Sequence, residues 1–241
     1  MDRLGPLLKS LGARAVLTPE QETLLLSMRR HERAYRRGAP IIMSRSTLTE
    51  SCLLVDGIAA RETVSREGKR QLSALHFAGD FVDLHGFVLK EIDHGVTALT
   101  DCTAVFVPHT EITRVIGQSP ALGRALWMLT AVDAAIQRAW IACLGRSPAL
   151  THLAHLLCEI YLRLHLVDLA WGYRFSLAIT QVELADALGL SPVHMNRTIQ
   201  ELRATGLVSW NGFDVAIQSW DGLLALAEFD GTYLNLVQRF R

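Results

Sequence analysis

This sequence lacks several features that would directly identify a membrane, secreted or strongly basic nucleic-acid-binding protein. No hydrophobic run is long enough to span a membrane, although half of the 241 residues are hydrophobic. Residues 1–16 lack the sustained apolar segment and small-residue cleavage site of a secretory signal. Basic and acidic residues balance at 24 each, so net charge gives no overall attraction to nucleic acid. We therefore expect a cytoplasmic protein without a membrane partner.

Cysteine is also sparse, and its spacing excludes the usual cysteine-based sites. The four residues are Cys52, Cys102, Cys143 and Cys158, and they form no C-x-x-C pair. This dispersal argues against a zinc finger, a dithiol redox motif or a disulfide scaffold.

Histidine is the remaining candidate for metal binding in the first half of the chain. His76, His85 and His94 follow one another at wide and equal spacing. A cupin-type metal-dependent enzyme also uses a small β-barrel, but it needs a closely spaced His-x-His with a nearby glutamate. We expect no metal, no cofactor and no enzymatic activity. The alternative is a cupin-type enzyme, or a metal or haem sensor that uses these histidines.

Residues 180–208 carry the clearest local pattern, two short helices with an abrupt stop between them. Thr180 and Glu183 form a capping box at the first start. An apolar stripe follows at helical spacing and consists of Val182, Ala185 and Leu188. Gly189 can end this helix in the left-handed conformation. Ser191–Pro192 then starts the next helix with a serine cap and a proline in the first turn.

The second helix and the segment after it complete a known motif. Its inward side chains are Met195, Ile199 and Leu202, and its outward ones are Val193, His194, Arg197 and Gln200. Two helices joined by a short turn are typical of a helix-turn-helix, whose second helix enters the major groove. The β-rich runs 207–210 and 213–217 follow, separated by the favoured hairpin dipeptide Asn211-Gly212. This order predicts a winged helix, and the alternative is a helical hairpin inside a larger core.

At these residues a family resemblance becomes specific. The segment 191–208, SPVHMNRTIQELRATGLV, resembles the recognition helix and wing of the Crp/Fnr family, the cyclic-AMP receptor and fumarate-nitrate regulator proteins. The stretch 220–234 resembles the tail of one branch of that family. The resemblance implies an α+β fold with an N-terminal jelly-roll sensor domain, a long dimerisation helix and a C-terminal winged helix-turn-helix. It implies a homodimeric transcription regulator on a palindromic operator in double-stranded DNA. RNA polymerase and an unknown small-molecule effector are candidate partners.

The resemblance also implies which residues read DNA. Arg197 takes the place of a family arginine that contacts a guanine, and its outward position agrees with that role. The cyclic-AMP receptor has a basic and an acidic residue where this chain has Pro192 and Val193, so we expect a different operator. Thr180 and Gln181 are expected to hold a phosphate. The predicted DNA-binding residues are Thr180, Gln181, Ser191, Val193, His194, Asn196 and Arg197. A rival hypothesis is a ligand-binding protein whose helix-turn-helix makes only protein contacts.

Between residues 34 and 108 the pattern changes to short β-like runs separated by turns. Candidate strands are 40–44, 51–55, 58–64, 71–77 and 98–107. Many short strands predict a sandwich or barrel, in agreement with the jelly-roll sensor. Before them, a helix starts at Thr18–Pro19, and the basic run 29–33 is interpreted as its solvated end.

The nucleotide-binding pattern of the family is incomplete here. Its cyclic-nucleotide-binding members use a Gly-Glu-Leu segment and then an Arg-Ser pair that holds the phosphate. Gly79-Asp80 fits the start, but Asp83-Leu84-His85 replaces the glutamate motif, and no arginine occurs between Arg70 and Arg114. We therefore expect no response to cyclic AMP. The candidate effector-pocket residues are Phe81, Asp83 and His85. Oxygen-sensing members hold an iron–sulfur cluster with N-terminal cysteines, and none precedes Cys52.

A long helix begins at Ser119–Pro120. A heptad seam on it consists of Leu122, Ala125, Leu129, Val132, Ile136, Ala139 and Cys143. Such a seam predicts a coiled coil, and the family uses the corresponding helix as its dimer axis. The alternative is burial of the seam against its own chain. Trp127 and Trp140 lie off the seam and are expected to pack against the β domain or a neighbouring helix.

The rest of the chain supplies the hinge and the second domain. Residues 144–146 are expected to break the long helix, and Ser147–Pro148 starts the next one. That helix has an inward leucine stripe, while His152, His155 and Glu159 are interpreted as a solvated polar face and not as a metal site. The predicted domains are 1–118, the sensor with its N-terminal helix, 119–145, the dimerisation helix, and 146–241, the winged helix-turn-helix.

Overall fold

The computed structural model describes residues 3–89 and 91–237. Its helices are α1 (Gly5–Gly12), α2 (Pro19–Leu26), α3 (His109–Gln118), α4 (Pro120–Arg146), α5 (Ala149–Leu166), α6 (Gln181–Leu188), α7 (Pro192–Ala204) and α8 (Trp220–Ala227). Its strands are β1 (His31–Tyr35), β2 (Pro40–Ile42), β3 (Glu50–Asp56), β4 (Ala59–Val64), β5 (Arg70–His76), β6 (Gly95–Ala98), β7 (Cys102–Pro108), β8 (Ala170–Trp171), β9 (Arg174–Ser176), β10 (Val208–Asn211) and β11 (Asp214–Ile217). The ends of the predicted domains, residues 1, 2 and 238–241, lie outside the described part.

Two antiparallel sheets form the N-terminal β domain, which confirms the predicted sensor fold. One has the strand order β1-β7-β3 and the other β2-β6-β4-β5. Successive side chains of a strand point to opposite faces, and β3 uses both faces. Cys52 and Leu54 lie in the core that β2, β4, β6 and β7 share. Leu53 points the other way, into a second core shared with α1, α2 and α3.

The boundaries of this domain differ from the sequence prediction in two places. The basic run 29–33 is mainly strand, because α2 ends at Leu26 and β1 pairs with β7. Most β1 side chains are exposed, so no alternation of apolar residues marks the strand in the sequence. The predicted strand 98–107 is two strands, β6 and β7. Helices α1 and α3 also went unpredicted.

Helix α4 is the long helix that the sequence predicts, and it starts as expected. The Ser119 hydroxyl accepts a hydrogen bond from the amide of Leu122, and Pro120 occupies the first turn. The predicted break at 144–146 is wrong, because the helix continues to Arg146 and ends at Ser147. It spans 27 residues, or about 40 Å at 1.5 Å per residue.

The predicted dimer seam on α4 faces the chain's own core. Leu122 and Ala125 lie in the core beneath α1 and α3, with Leu129 packed against it. Val132 and Ile136 lie in the core shared with α5. Cys143 is also buried, and Ala139 is half-buried. These side chains lie in or against the chain's own core, and the assignment of Leu122, Ala125, Leu129, Val132, Ile136, Ala139 and Cys143 to a dimer interface stays a prediction.

The opposite face of α4 is open. Trp127 is 75% exposed and Ile141 67%, so the prediction that Trp127 packs within the chain is wrong. Trp140 does pack, and its indole N–H donates to Glu159 Oε2 at 3.0 Å. The outward positions follow a second heptad spacing and comprise Trp127, Ala131, Ala134, Arg138, Ile141 and Gly145. We call this set the outer seam.

The C-terminal part packs α5 against the helix-turn-helix and a small sheet. The sheet has the order β10-β11-β9-β8, so the wing hairpin gains two strands that were not predicted. One core joins α5, α6, α7 and α8 and includes Leu157, Leu184, Ile199 and Leu223. The same cluster contains Leu72 and Leu75 of β5. The DNA-binding part is therefore packed directly on the β domain.

Candidate DNA-binding site

The start of α6 has the predicted cap. The Thr180 hydroxyl accepts a hydrogen bond from the amide of Glu183, and the Glu183 carboxylate accepts one from the amide of Thr180. Gly189 ends the helix with φ of 67°. The apolar stripe is shifted from the prediction, because Val182 is exposed while Glu183 and Leu184 are buried. Glu183 turns inward because its carboxylate accepts hydrogen bonds from the amide and hydroxyl of Thr180 and from Arg37.

Helix α7 presents the side chains that the sequence predicts. Ser191 caps it by accepting from the amide of His194 at 3.2 Å. Met195, Ile199 and Leu202 are buried. The outward residues Val193, His194, Asn196, Arg197 and Gln200 are all exposed. The face of α7 that a major groove would meet is therefore free of contacts with the core.

One polar contact joins the two helices of the motif at their exposed ends. The side-chain amide of Asn196 donates to Gln181 Oε1 at 3.0 Å. This bond fixes the Gln181 side chain, whose amide nitrogen is its remaining donor. The predicted base-reading and phosphate-holding residues are thus brought onto one surface by α6 and α7.

The wing forms with a different turn from the one predicted. Asn211 pairs with Asp214 across the hairpin, so the two loop residues are Gly212 and Phe213. Gly212 has φ of 58°, as the first position of a type II′ turn requires. Phe213 is half-exposed at the tip. Arg203 of α7 donates to the carbonyl of Trp210, which ties the end of the helix to the wing.

Arginines of the β domain reach the helix-turn-helix, and no local sequence pattern predicts these contacts. Arg37 donates to both carboxylate oxygens of Glu183 at 2.7 Å and to the carbonyl of Ala178 at 3.2 Å. Arg70 of β5 donates to Asp186 at 2.8 Å. Both carboxylates belong to α6, so the β domain holds the first helix of the motif by two ion pairs. Contacts between distant segments depend on the tertiary fold and have no local sequence pattern.

Helix α5 carries a buried polar network instead of the predicted solvated face. Glu159 is fully buried, and His152 and His155 are buried as well. Glu159 accepts from Arg163 at 2.9 Å, from Trp140 at 3.0 Å and from the Tyr233 hydroxyl at 2.9 Å. The face turns inward because the tail around Tyr233 and the end of α4 cover it.

Arg163 extends this network into the β domain. Its guanidinium donates to the carbonyl of Leu75 at 2.8 Å and to Asp80 at 2.7 Å. Burial alone would lower the pKa of Arg163, but Asp80 and Glu159 outweigh it and raise that pKa. Burial and the nearby Glu159 raise the pKa of the Tyr233 hydroxyl, which stays protonated and donates. One ionic network therefore joins β5, α4, α5 and the tail.

The predicted effector residues Phe81, Asp83 and His85 have different surroundings. Phe81 packs in the core with Leu53. Asp83 is fully buried, and its Oδ1 accepts from the amide of Cys52 at 2.7 Å. Burial raises the pKa of Asp83 to about 7. His85 lies beside His94, with ring centroids 5.1 Å apart.

The histidines were also the candidate metal ligands. Within residues 3–89 and 91–237, no group of three or more His, Cys, Asp or Glu side chains is placed to hold a metal ion. Burial lowers the pKa of His76, His85 and His94, with Arg61 as a further cause in each case.

Within residues 3–89 and 91–237, no helix combines the length and apolar character needed to cross a membrane.

A β-roll, a long helix and a capped winged helix-turn-helix define a DNA-binding regulator. Comparison with known proteins gives the family. The cyclic nucleotide-binding domain model matches residues 32–119, and the Crp-like helix-turn-helix domain model matches residues 151–226. The chain belongs to the Crp/Fnr family of transcription regulators.

Relatives and solved structures agree with this assignment. A probable transcriptional activator of Rhizobium leguminosarum bv. viciae is 30% identical over 78% of this chain and 78% of its own length. The transcriptional activator protein FnrL of Cereibacter sphaeroides is 28% identical over 80% of this chain and 78% of its own. The structure of FixK2 from Bradyrhizobium japonicum superposes with a TM-score of 0.74 at 22% identity, covering 83% of this chain and 98% of that one. That structure supports the fold.

Proposed function

We propose that this regulator acts as a homodimer that binds a palindromic operator with α7 in the major groove. The observation that carries the proposal is the exposed face of α7, which presents Val193, Asn196 and Arg197 beside the capped start of α6. In this proposal the protein works in the cytoplasm, responds to a small-molecule effector other than cyclic AMP, and contacts RNA polymerase at its promoters. The functional division remains residues 1–118, 119–145 and 146–241.

Arg197 is the proposed base-reading residue. It lies on the exposed side of α7, six residues after the Ser191 cap, and its guanidinium can donate to both O6 and N7 of a guanine. Val193 is 74% exposed and suits a thymine methyl group. His194 and Asn196 are the neighbouring polar candidates. Thr180 and Gln181 lie exposed at the start of α6 and are the proposed phosphate-holding residues. The amide and hydroxyl of Thr180 donate to Glu183, so the side-chain amide of Gln181 is the proposed donor to the phosphate.

The test is a gel-shift series on an operator defined by genomic footprinting, with each base pair of one half-site varied in turn. Arg197→Ala should weaken binding by about 1–3 kcal/mol and relax the preference at one base pair per half-site. Arg3→Ala is the control, because Arg3 pairs with Glu32 in the β domain. Unchanged affinity and base preference in Arg197→Ala would mean that α7 does not read the operator.

The outer seam of α4 is the proposed dimer interface, in place of the seam that the sequence suggested. Exposed Trp127 and Ile141 lie fourteen positions apart, which is two heptads, so a parallel copy would meet them in register. A parallel arrangement would place two recognition helices about one DNA turn apart. The two α4 helices would then bury apolar surface that one chain leaves in water.

Replacing Trp127 and Ile141 together by glutamate should give folded monomers. Val16→Glu is a matched control, because Val16 is 91% exposed and lies between α1 and α2. The measurement is the mass in solution by light scattering at micromolar concentration. A monomeric wild-type protein, or a double variant that remains dimeric, would contradict the interface.

A further inference from the structure

The side of α6 that faces the β domain carries two carboxylates. Glu183 and Asp186 are three positions apart, so they lie on one face of the helix. Arg37 donates to both Glu183 oxygens at 2.7 Å, and Arg70 donates to Asp186 Oδ2 at 2.8 Å. The first helix of the motif is therefore held at two points along one face.

Both arginines are also fixed on the β-domain side. Arg37 lies in the turn between β1 and β2, and its amide donates to Asp101 Oδ1 at 3.0 Å. Arg70 begins β5, and its Nη1 lies 3.6 Å from Glu62 Oε2 of β4. The two guanidiniums thus connect α6 to ordered strands and a tight turn of the β domain.

The end of α6 is held as well. The side-chain amide of Gln71 in β5 donates to the carbonyl of Ala187 at 3.3 Å. A Cβ added at Gly189, in the turn of the motif, would lie 3.1 Å from Leu144 Cδ2 near the end of α4. The β domain and the long helix therefore both contact the point where α6 gives way to α7.

Polar contacts of this kind can fix an orientation that apolar packing leaves free. Leu72 and Leu75 of β5 belong to the same core as α6 and α7, but apolar attraction is non-directional. Charge-assisted bonds from the planar guanidinium group set both distance and direction. Since α7 follows α6 after a short turn, the orientation of α6 also sets that of the recognition helix.

We infer that Arg37 and Arg70 are positioning residues that set the spacing between half-sites that the regulator accepts. They hold α6, and through it α7, at a fixed place relative to the β domain and α4. In a dimer about α4, this fixes the separation of the two recognition helices. Adding or removing one base pair moves a half-site by about 3.4 Å and turns it by about 34°. This consequence rests on the proposed function, whereas the docking of α6 does not.

The first experiment measures Kd by gel shift on the footprinted operator and on operators with one base pair added or removed between the half-sites. The test variant is Arg37→Ala with Arg70→Ala. The matched control is Arg36→Ala with Lys69→Ala, which removes two neighbouring positive charges that are paired within the β domain. Two partly exposed ion pairs together shift an equilibrium by about tenfold. The ratio of Kd at altered spacing to Kd at native spacing should therefore fall about tenfold in the test variant and stay unchanged in the control.

The ratio separates positioning from a general electrostatic effect. If the two arginines only neutralise the carboxylates of α6, the test variant binds more weakly at every spacing and the ratio does not change. That result overturns the inference, as does an equal change of the ratio in the control. A wild-type protein that binds all three spacings alike overturns it too.

Hydrogen exchange of the full chain without DNA tests the docking itself. Exchange follows the ratio of open to closed states, so the amides of α6 should exchange about tenfold faster in the test variant and at the wild-type rate in the control. Unchanged exchange in the test variant overturns the inference whether or not DNA is bound. A wild-type protein that binds no palindromic site would instead contradict the proposed function.

Discussion

Replacing Glu159 by glutamine tests whether the buried network holds the two parts of the chain together. The carboxylate is fully buried and accepts hydrogen bonds from Arg163, Trp140 and Tyr233. Glutamine keeps the shape but removes the charge, and its amide nitrogen donates where the carboxylate accepts. At least one donor then faces another donor, and Arg163 loses one of its two acidic partners.

The expected loss follows from these contacts. Breaking a buried ion pair by removing one partner costs about 3–5 kcal/mol. Asp80 stays paired with Arg163, so we expect the lower end of that range, about 3 kcal/mol. For a chain of this size, 1 kcal/mol shifts the melting temperature by about 2–4 °C. The melting temperature should therefore fall by roughly 6–12 °C.

The assay compares thermal and urea unfolding of wild type, Glu159→Gln and Glu67→Gln. Glu67 is the control because it pairs with Lys69 in an exposed turn, with side chains 76% and 82% exposed. Exposed pairs contribute little, so the control should match wild type. If both variants unfold alike, the network does not stabilise the fold and the reasoning above fails.

Three further outcomes follow from the structure. Millimolar cyclic AMP should leave the melting curve unchanged, because the family's glutamate motif is replaced at Asp83; a clear upward shift would contradict this. Gly189→Val should lower the melting temperature, because φ is 67° and the added side chain meets Leu144 at 3.1 Å; an unchanged temperature would contradict the cap. Gln181→Ala should weaken operator and nonspecific DNA alike in gel shifts. A loss confined to one base pair would instead make Gln181 a base reader.

Local patterns in the sequence were sufficient for the helix-turn-helix but not for its surroundings. The caps at Thr180 and Ser191 and the stop at Gly189 depend on a few neighbouring residues, and the structure has all three. The hairpin turn was displaced by one residue, since Asn211 and Gly212 alone do not fix the pairing register. Cross-strand pairing places Asn211 opposite Asp214.

Helix α4 shows why periodicity alone could not tell the face that packs on the chain's own core from the face that is open to a second copy. Its residues form two heptad seams, one through Val132 and Ile136 and one through Trp127 and Ile141. The first contains more apolar residues, so periodicity favours it as the dimer interface. It is buried by α5 and the β domain, and only the tertiary fold reveals that. Family resemblance predicts the role of the helix, and the exposed residues are the basis for the proposed face.

Asp83 gives a pH dependence that the sequence could not predict. Burial raises the pKa of its carboxyl group to about 7, against about 3.9 in an unfolded chain. Between these values the folded state holds a proton that the unfolded state has lost. Stability from this group therefore falls as pH rises from about 4 to 7, by at most roughly 1.4 kcal/mol per pH unit, and is level above that range.

The variant Asp83→Asn should remove this slope while keeping the oxygen that accepts from Cys52. His76, His85 and His94 titrate in the opposite sense, because their lowered pKa values make stability rise with pH. The histidines are the same in both proteins, so their contribution cancels in the difference between the two free energies of unfolding. Urea unfolding should be measured at pH 5, 6, 7 and 8. The free energy of unfolding of the variant should rise relative to that of wild type up to about pH 7, and the difference should then stay constant. A constant difference over this range would mean that Asp83 is ionised in the folded protein at pH 5, and that water or another donor solvates its second oxygen.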